Sequence, residues 1–177
     1  MKFVETKLQG VVLVDIDCLQ DERGFFARTV CSKEFAAHGL SAAFVQSSVS
    51  YNRAQGTLRG MHYQRAPYEE KKIVRCVRGA IYDVVLDLRP QSPTFRKWIA
   101  VELNEDNARA VYIPEGCAHG FQTLTNDTVI LYQMTAFFDA SSAAGVRWDD
   151  PVFGISWPDI KVRVIADKDR QYPDFTL

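Results

Sequence analysis

The chain has 177 residues, 47% of them hydrophobic and 24% charged, with a formal net charge of -1 at pH 7. That length holds one domain with a sizeable core, read here as residues 1–177, and leaves little room for a second. The near-zero charge offers no electrostatic footprint for nucleic acid or an anionic membrane, and no apolar run reaches the roughly 18 residues of a membrane span.

The first stretch, MKFVETKLQG, lacks the apolar core of a signal peptide. Strand-like segments follow: VVLVDID (Val11–Asp17) and FFARTVC (Phe25–Cys31), short and rich in β-branched and aromatic residues. SKEFAAHG (Ser32–Gly39) is the one helix signature, with Ser32 as cap and Gly39 as the closing residue. FVQSSVSY (Phe44–Tyr51) returns to the strand pattern, and RGMHYQ (Arg59–Gln64) sits between strand-like stretches. IVRCV (Ile73–Val77), AIYDVVLDL (Ala80–Leu88), WIAVEL (Trp98–Leu103), RAVYI (Arg109–Ile113), GFQTL (Gly120–Leu124) and TVILYQM (Thr128–Met134) complete the series, several of them split by turn signals such as Arg78-Gly79 and Asn126-Asp127. From DDPVFGISWPD onward the chain turns irregular, which predicts a tail packed across the strands. Many short strands with few helices imply an all-β jelly-roll sandwich or barrel with short peripheral helices. The four cysteines are scattered singly without a C-x-x-C pair, as expected of reduced thiols in a cytoplasmic chain.

Three histidines are present, and His62 in RGMHYQ admits three readings: metal ligand, satisfied core histidine or proton-transfer base. A cupin-type metal site wants a His-x-His pair, a nearby carboxylate and a distant third histidine, because a divalent ion needs three or four convergent ligands. Here the pair is broken as His62-Tyr63-Gln64, His119 alone can serve as the distant ligand, and His38 falls in the helix. The expectation is therefore no metal. An imidazole, with an unperturbed pKa of about 6.5, suits base chemistry when an orienting carboxylate, an acid and a cation stand nearby. Asp169 in DKDR, Tyr132 in VILYQM and Lys72 in EEKKIV are of those types. Composition alone does not bring the four together. Tyr132 on a strand is equally a half-buried structural tyrosine, and Lys72 equally a solvated strand-edge charge.

The stretches DERGFF, GTLRGMHYQ, KKIVRCVRGAIYDVVLDLRPQSPTF, YIPEGCAHGFQTL, DPVFGISWP and ADKD, in that order from about Gly10 to Pro173, resemble the dTDP-4-dehydrorhamnose 3,5-epimerase family. The resemblance implies a cupin-like jelly roll that works without metal or other cofactor, as a homodimer with exchanged N-terminal strands. It implies a nucleotide-linked 4-keto-6-deoxyhexose as substrate, inverted at the carbons flanking the C4 ketone. By the same resemblance His62 is the base, Asp169 holds and polarises it, Lys72 stabilises the enolate oxygen, and Tyr132 returns a proton to the opposite face. Arg59 and Arg23 match residues that grip the diphosphate, where a planar bidentate donor outperforms a point charge. Lys168 and His119 match further substrate contacts, and Phe138 the aromatic ring stacked on the base.

Departures from the pattern fall at nucleotide-contacting positions. Arg28 stands where thymidine-specific members carry Glu, Gln46-Ser47-Ser48 replaces Gln-x-Asn, and Ala143 replaces a Glu. An arginine donates where a glutamate accepts, so a cytidine- or guanosine-linked sugar joins thymidine among the expected substrates. Two other functions compete with a 3-, 5- or 3,5-epimerase: a 3,4-ketoisomerase and a non-catalytic sugar-nucleotide-binding cupin. One geometric demand follows. Residues three apart on a regular strand point to opposite faces, so Arg59 and His62 share a site only through a twist or bulge near Gly60, or from near the barrel rim.

Overall fold

A computed structural model describes residues 1–160 and 164–176. In chain order its strands are β1 (Lys2–Glu5), β2 (Val12–Asp15), β3 (Leu19–Asp21), β4 (Gly24–Phe26), β5 (Gln46–Asn52), β6 (Thr57–Gln64), β7 (Lys72–Arg78), β8 (Ala80–Asp87), β9 (Trp98–Asn104), β10 (Ala110–Ile113), β11 (Cys117–Thr123), β12 (Thr128–Met134), β13 (Ala143–Gly145) and β14 (Val164–Ile165). Helix α1 (Ser32–Ala37) lies between β4 and β5, and α2 (Asp167–Arg170) follows β14. No described helix is long and apolar enough to cross a membrane.

The strands form two sheets, one ordered β1-β2-β10-β7-β12-β5 and the other β13-β6-β11-β8-β9, with β14 on β6 and β3-β4 as a separate hairpin. Period-2 alternation then decides where each side chain goes. Val74, Cys76 and Ile130 of the first sheet meet Ile81, Val85, Cys117 and Phe121 of the second in a common core. The alternate residues of the first sheet, Val12, Val14, Ile73, Ala110 and Tyr112, pack outward against Phe35 of α1. On the outer face of the second sheet, Met61, Val84, Leu86 and Ala118 are covered by Val146, Phe153, Trp157 and Phe175. The irregular C-terminal stretch is thus the expected tail across the strands. The whole is a cupin-like all-β jelly roll with small helices at its periphery.

Local expectations needed three corrections. FFARTVC contributes only the end of β4, for residues 27–31 carry no strand; Phe25 and Phe26 are 57% and 74% exposed, so that hairpin has no sheet to pair with. Ser32 opens α1 from inside: Cys31 occupies the cap position, and no side chain there caps a backbone amide. RGMHYQ does not sit between strands but forms the last six residues of the eight-residue β6, paired on one side with β11 and on the other with β13.

The pairing of β6 also answers the geometric demand on Arg59. His119 opposes His62 while Phe121 opposes Arg59, so two steps on β11 match three on β6, and β6 carries an extra residue. Gly60, with φ of +133°, lies in this bulge. A Cβ on it would stand 2.5 Å from the Gly120 Cα, a contact no side chain tolerates. Residues opposed in an antiparallel pair share a face. The bulge therefore turns Arg59 and His62 to the same side of β6, the side facing the barrel interior.

Candidate active site

Between the sheets at one end lies a cavity of about 430 Å³ whose lining includes Gln46, Ser48, His62, Lys72, Tyr132, Phe138, Ala143 and Lys168. Alternation accounts for most of this. Gln46 and Ser48 on β5, Lys72 on β7 and Tyr132 on β12 all occupy inward positions, with Ser48 opposite Tyr132 and Gln46 opposite Met134. Packed sheets lie roughly 10 Å apart. His62 enters from one sheet and Tyr132 from the other, so the two address opposite sides of anything held between them.

His62 and Asp169, 107 positions apart, meet with Nε2 2.7 Å from Oδ1. The second oxygen, Oδ2, accepts the Gly60 amide at 3.1 Å. Asp169 sits on the single turn of α2 and is 4% exposed. Burial opposes its ionisation, but the hydrogen bond and charge of His62, the Gly60 amide and Lys168 hold its pKa below the ordinary carboxylate value. An ionised carboxylate only accepts, so Nε2 carries the proton and Nδ1 holds the free lone pair. With 42% of its side chain exposed, His62 is open to a ligand.

The depressed pKa has a sign for stability. Ionised Asp169 contributes fully above its unfolded pKa of about 3.9, and the contribution is lost as pH falls through the lower folded value. The difference in unfolding free energy between wild type and Asp169→Asn is thus expected to hold steady at neutral pH and to shrink toward zero below about pH 4. Denaturant titrations across that range check it; a difference unchanged down to pH 2 would refute the ionised pairing.

A second imidazole–carboxylate pair lies deeper. His119 Nε2 is 2.7 Å from Asp83 Oδ2, with both side chains almost fully buried. Burial raises the Asp83 pKa against the pull of His119 and Lys72, and its Oδ1 has no partner among the described residues. The His119 ring stands 6.1 Å from that of Tyr132, edge to face. Burial first, and then the charge of Asp83, push the Tyr132 phenol well above its ordinary pKa, while Arg59 pulls the other way. Tyr132 is therefore a protonated donor at any physiological pH. Lys72 is 8% exposed, and its ammonium lies 2.7 Å from Glu70 Oε1, a carboxylate that fixes it at the cavity wall. The strand-edge reading of Lys72 as a solvated charge does not hold.

Other expected residues divide. Arg59 donates Nε to Asn52 Oδ1 at 2.8 Å, near enough to act electrostatically on Tyr132. Phe138 presents a 64% exposed ring, and its amide donates to Gln46 Oε1 at 2.8 Å, so two nucleotide-contacting candidates are tied to each other. Arg23 is not gathered in. It lies on the β3–β4 hairpin, ion-paired with Asp21 and 85% exposed, outside this chain's cavity. Arg28 is likewise outside, 3.5 Å from Glu34. Both histidines have carboxylate partners, His62 the expected Asp169 and His119 the unforeseen Asp83, and those carboxylates hold ring nitrogens. Among the described residues no group of three His, Cys, Asp or Glu side chains is arranged to hold a metal ion. Sequence reasoning misses Glu70, Asp83 and Tyr172, since a lone carboxylate or tyrosine on an ordinary pattern carries no signal; only alternation on β8 places Asp83 inward.

A family model described as dTDP-4-dehydrorhamnose 3,5-epimerase matches residues 5–176. The enzyme of that name from Sinorhizobium fredii is 39% identical over 173 residues, spanning 98% of this chain and 89% of the relative. The crystal structure of the Bacillus anthracis enzyme with TDP and PPi bound superposes with a TM-score of 0.94 at 38% identity, covering 98% of this chain and 99% of that one. A His-to-Asn, Tyr-to-Phe double variant of a 3'-monoepimerase from Streptomyces bikiniensis, in complex with dTDP, has a TM-score of 0.90 at 30% identity, covering 97% of this chain and 86% of that one. With similarity along the whole chain, a shared fold and a cavity built around a histidine and a tyrosine, this chain belongs to the dTDP-4-dehydrorhamnose 3,5-epimerase family and is a sugar epimerase.

Proposed function

We propose that the protein inverts C3, C5 or both in a nucleotide-linked 4-keto-6-deoxyhexose, using His62 as base and Tyr132 as acid. The observation that carries this reading is the placement of a base and a protonated phenol on opposite sheets across one cavity. A hydrogen on the carbon next to a ketone is acidic because its removal puts charge on oxygen as an enolate. Nδ1 of His62 takes that proton, and Asp169, accepting from Nε2, stabilises the imidazolium that forms. The Lys72 ammonium supports the developing oxyanion. Tyr132 then delivers its proton from the far side, and the carbon is inverted. Solvent resets both groups before the next event. A ketoisomerase needs a proton moved between C3 and the oxygen on one side; the opposed pair favours epimerisation over it.

Incubation with dTDP-4-keto-6-deoxyglucose in deuterium oxide tests the reading. Label is expected at C3, C5 or both, and the positions count the inverted centres; a 3-keto product without exchange at C5 would overturn the reading. Arg28, Ser48 and Ala143 at nucleotide positions make the base the open part of the substrate. A thermal-shift panel of dTDP, CDP, GDP and UDP ranks them, since a ligand of the native state raises Tm by mass action.

The assembly we propose is a homodimer. Leu19, Phe25 and Phe26 on the β3–β4 hairpin are 68%, 57% and 74% exposed, and the hairpin carries Arg23 away from its own cavity. Exchange of this segment would cover the apolar side chains and bring Arg23 to the second copy's diphosphate. Sedimentation at twice the 20.1 kDa chain mass is expected; a monomer at micromolar concentration would exclude it.

A further inference from the structure

Tyr172 plays no role in the chemistry above, yet it borders it. It lies three residues after Asp169 and helps to line the cavity. Its ring centroid is 6.2 Å from that of His62, at 67°. On its other side the ring rests on β13 at Gly145, where a Cβ would come within 2.4 Å of two Tyr172 ring atoms. Gly145 is the residue opposite His62 in the β13–β6 register. The ring thus fills the space that a side chain on this cross-strand neighbour would take, directly beside the imidazole. The Tyr172 hydroxyl is buried and has no hydrogen-bond partner among the described residues, so the ring and not the oxygen makes the contact.

We infer that Tyr172 is the positioning residue for the His62–Asp169 pair. The His62 side chain is open on its cavity side, and one hydrogen bond does not by itself hold an imidazole in a single rotamer. The Tyr172 ring stands behind it and blocks rotation away from the carboxylate. It also anchors the one-turn α2, whose own length supplies almost no intrinsic stability. This inference rests on His62 as the base, and deepens that reading by naming what keeps Nδ1 aimed at the substrate.

The test compares Tyr172→Phe, Tyr172→Leu and Tyr172→Ala in the full-length protein, by steady-state kinetics and by proton NMR of the His62 Nε2–H. Tyr172→Phe is expected to keep wild-type kcat and the low-field resonance of a carboxylate-bonded imidazole. Tyr172→Ala is expected to lose that resonance and about 10–100-fold in kcat, the cost of a misplaced catalytic group, with KM little changed. Tyr172→Leu covers the case in which the alanine variant does not fold, and is expected to lie between the two. Wild-type kcat and an intact resonance in the alanine or leucine variant would overturn the inference, as would a phenylalanine variant as impaired as alanine. Failure of the underlying reading looks different: a His62→Ala protein that exchanges deuterium at the wild-type rate removes the base itself, whereas an inactive His62→Ala beside a fully active Tyr172→Ala removes only the positioning role.

Discussion

Replacing His62 with alanine is expected to slow deuterium wash-in at the carbons beside the ketone by about 10²–10⁴-fold, the usual contribution of a positioned general base. That range corresponds to roughly 3–5 kcal/mol of transition-state stabilisation. The larger effect should fall on catalysis, with folding losing only the part of the Asp169 stabilisation that His62 supplies. The His62 side chain is 42% exposed at the cavity, so its removal opens no void in the core formed by Val74, Ile81 and Phe121. It does leave Asp169 Oδ1 without its partner, but the enlarged cavity admits water to that oxygen. A thermal melt close to wild type alongside lost exchange is the expected pair of results. Exchange at the wild-type rate would end the assignment of His62 as base.

Tyr132→Phe separates the two halves of the reaction. Without the phenol, His62 still removes the proton, exchanges it with solvent and returns it to the face it came from. Label then enters the sugar without inversion. Product analysis is expected to show inversion reduced by about 10²-fold or more while wash-in persists. Inversion at the wild-type rate would mean that another acid serves the far face. The wild-type phenol stays protonated because burial and the buried Asp83 charge raise its pKa. The sign is that of a raised pKa: the neutral form persists below the folded value, and stability is lost only as pH rises beyond the unfolded value of about 10. Any alkaline limb of activity below that pH therefore belongs to another group.

Much of this arrangement is legible in the sequence. TVILYQM appears as β12 with the same bounds, because a clean run of β-branched and aromatic residues between turn signals has one good backbone solution. Its alternation already puts Ile130, Tyr132 and Met134 on one face. Motifs in order along the chain carry the resemblance to the family. RGMHYQ is harder. The spacing of Arg59 and His62 demands a twist or bulge near Gly60 or a place near the barrel rim, and the pairing with β11 decides for the bulge.

The residues themselves determined the strand periods, the near-zero net charge and the chemical types on offer: an imidazole, a phenol, an ammonium and a carboxylate. Which of them act together was decided by tertiary structure. Asp169 reaches His62 across 107 positions because α2 is folded back over β6. Glu70 and Asp83 became meaningful only as the partners of Lys72 and His119. Arg23, as good a motif residue as Arg59, stayed outside the cavity because its hairpin pairs with neither sheet. The physical reason is common to all of them. Strand alternation is a local property written every second residue, whereas the convergence of side chains from separate strands depends on register, bulges and burial that no short stretch of sequence contains.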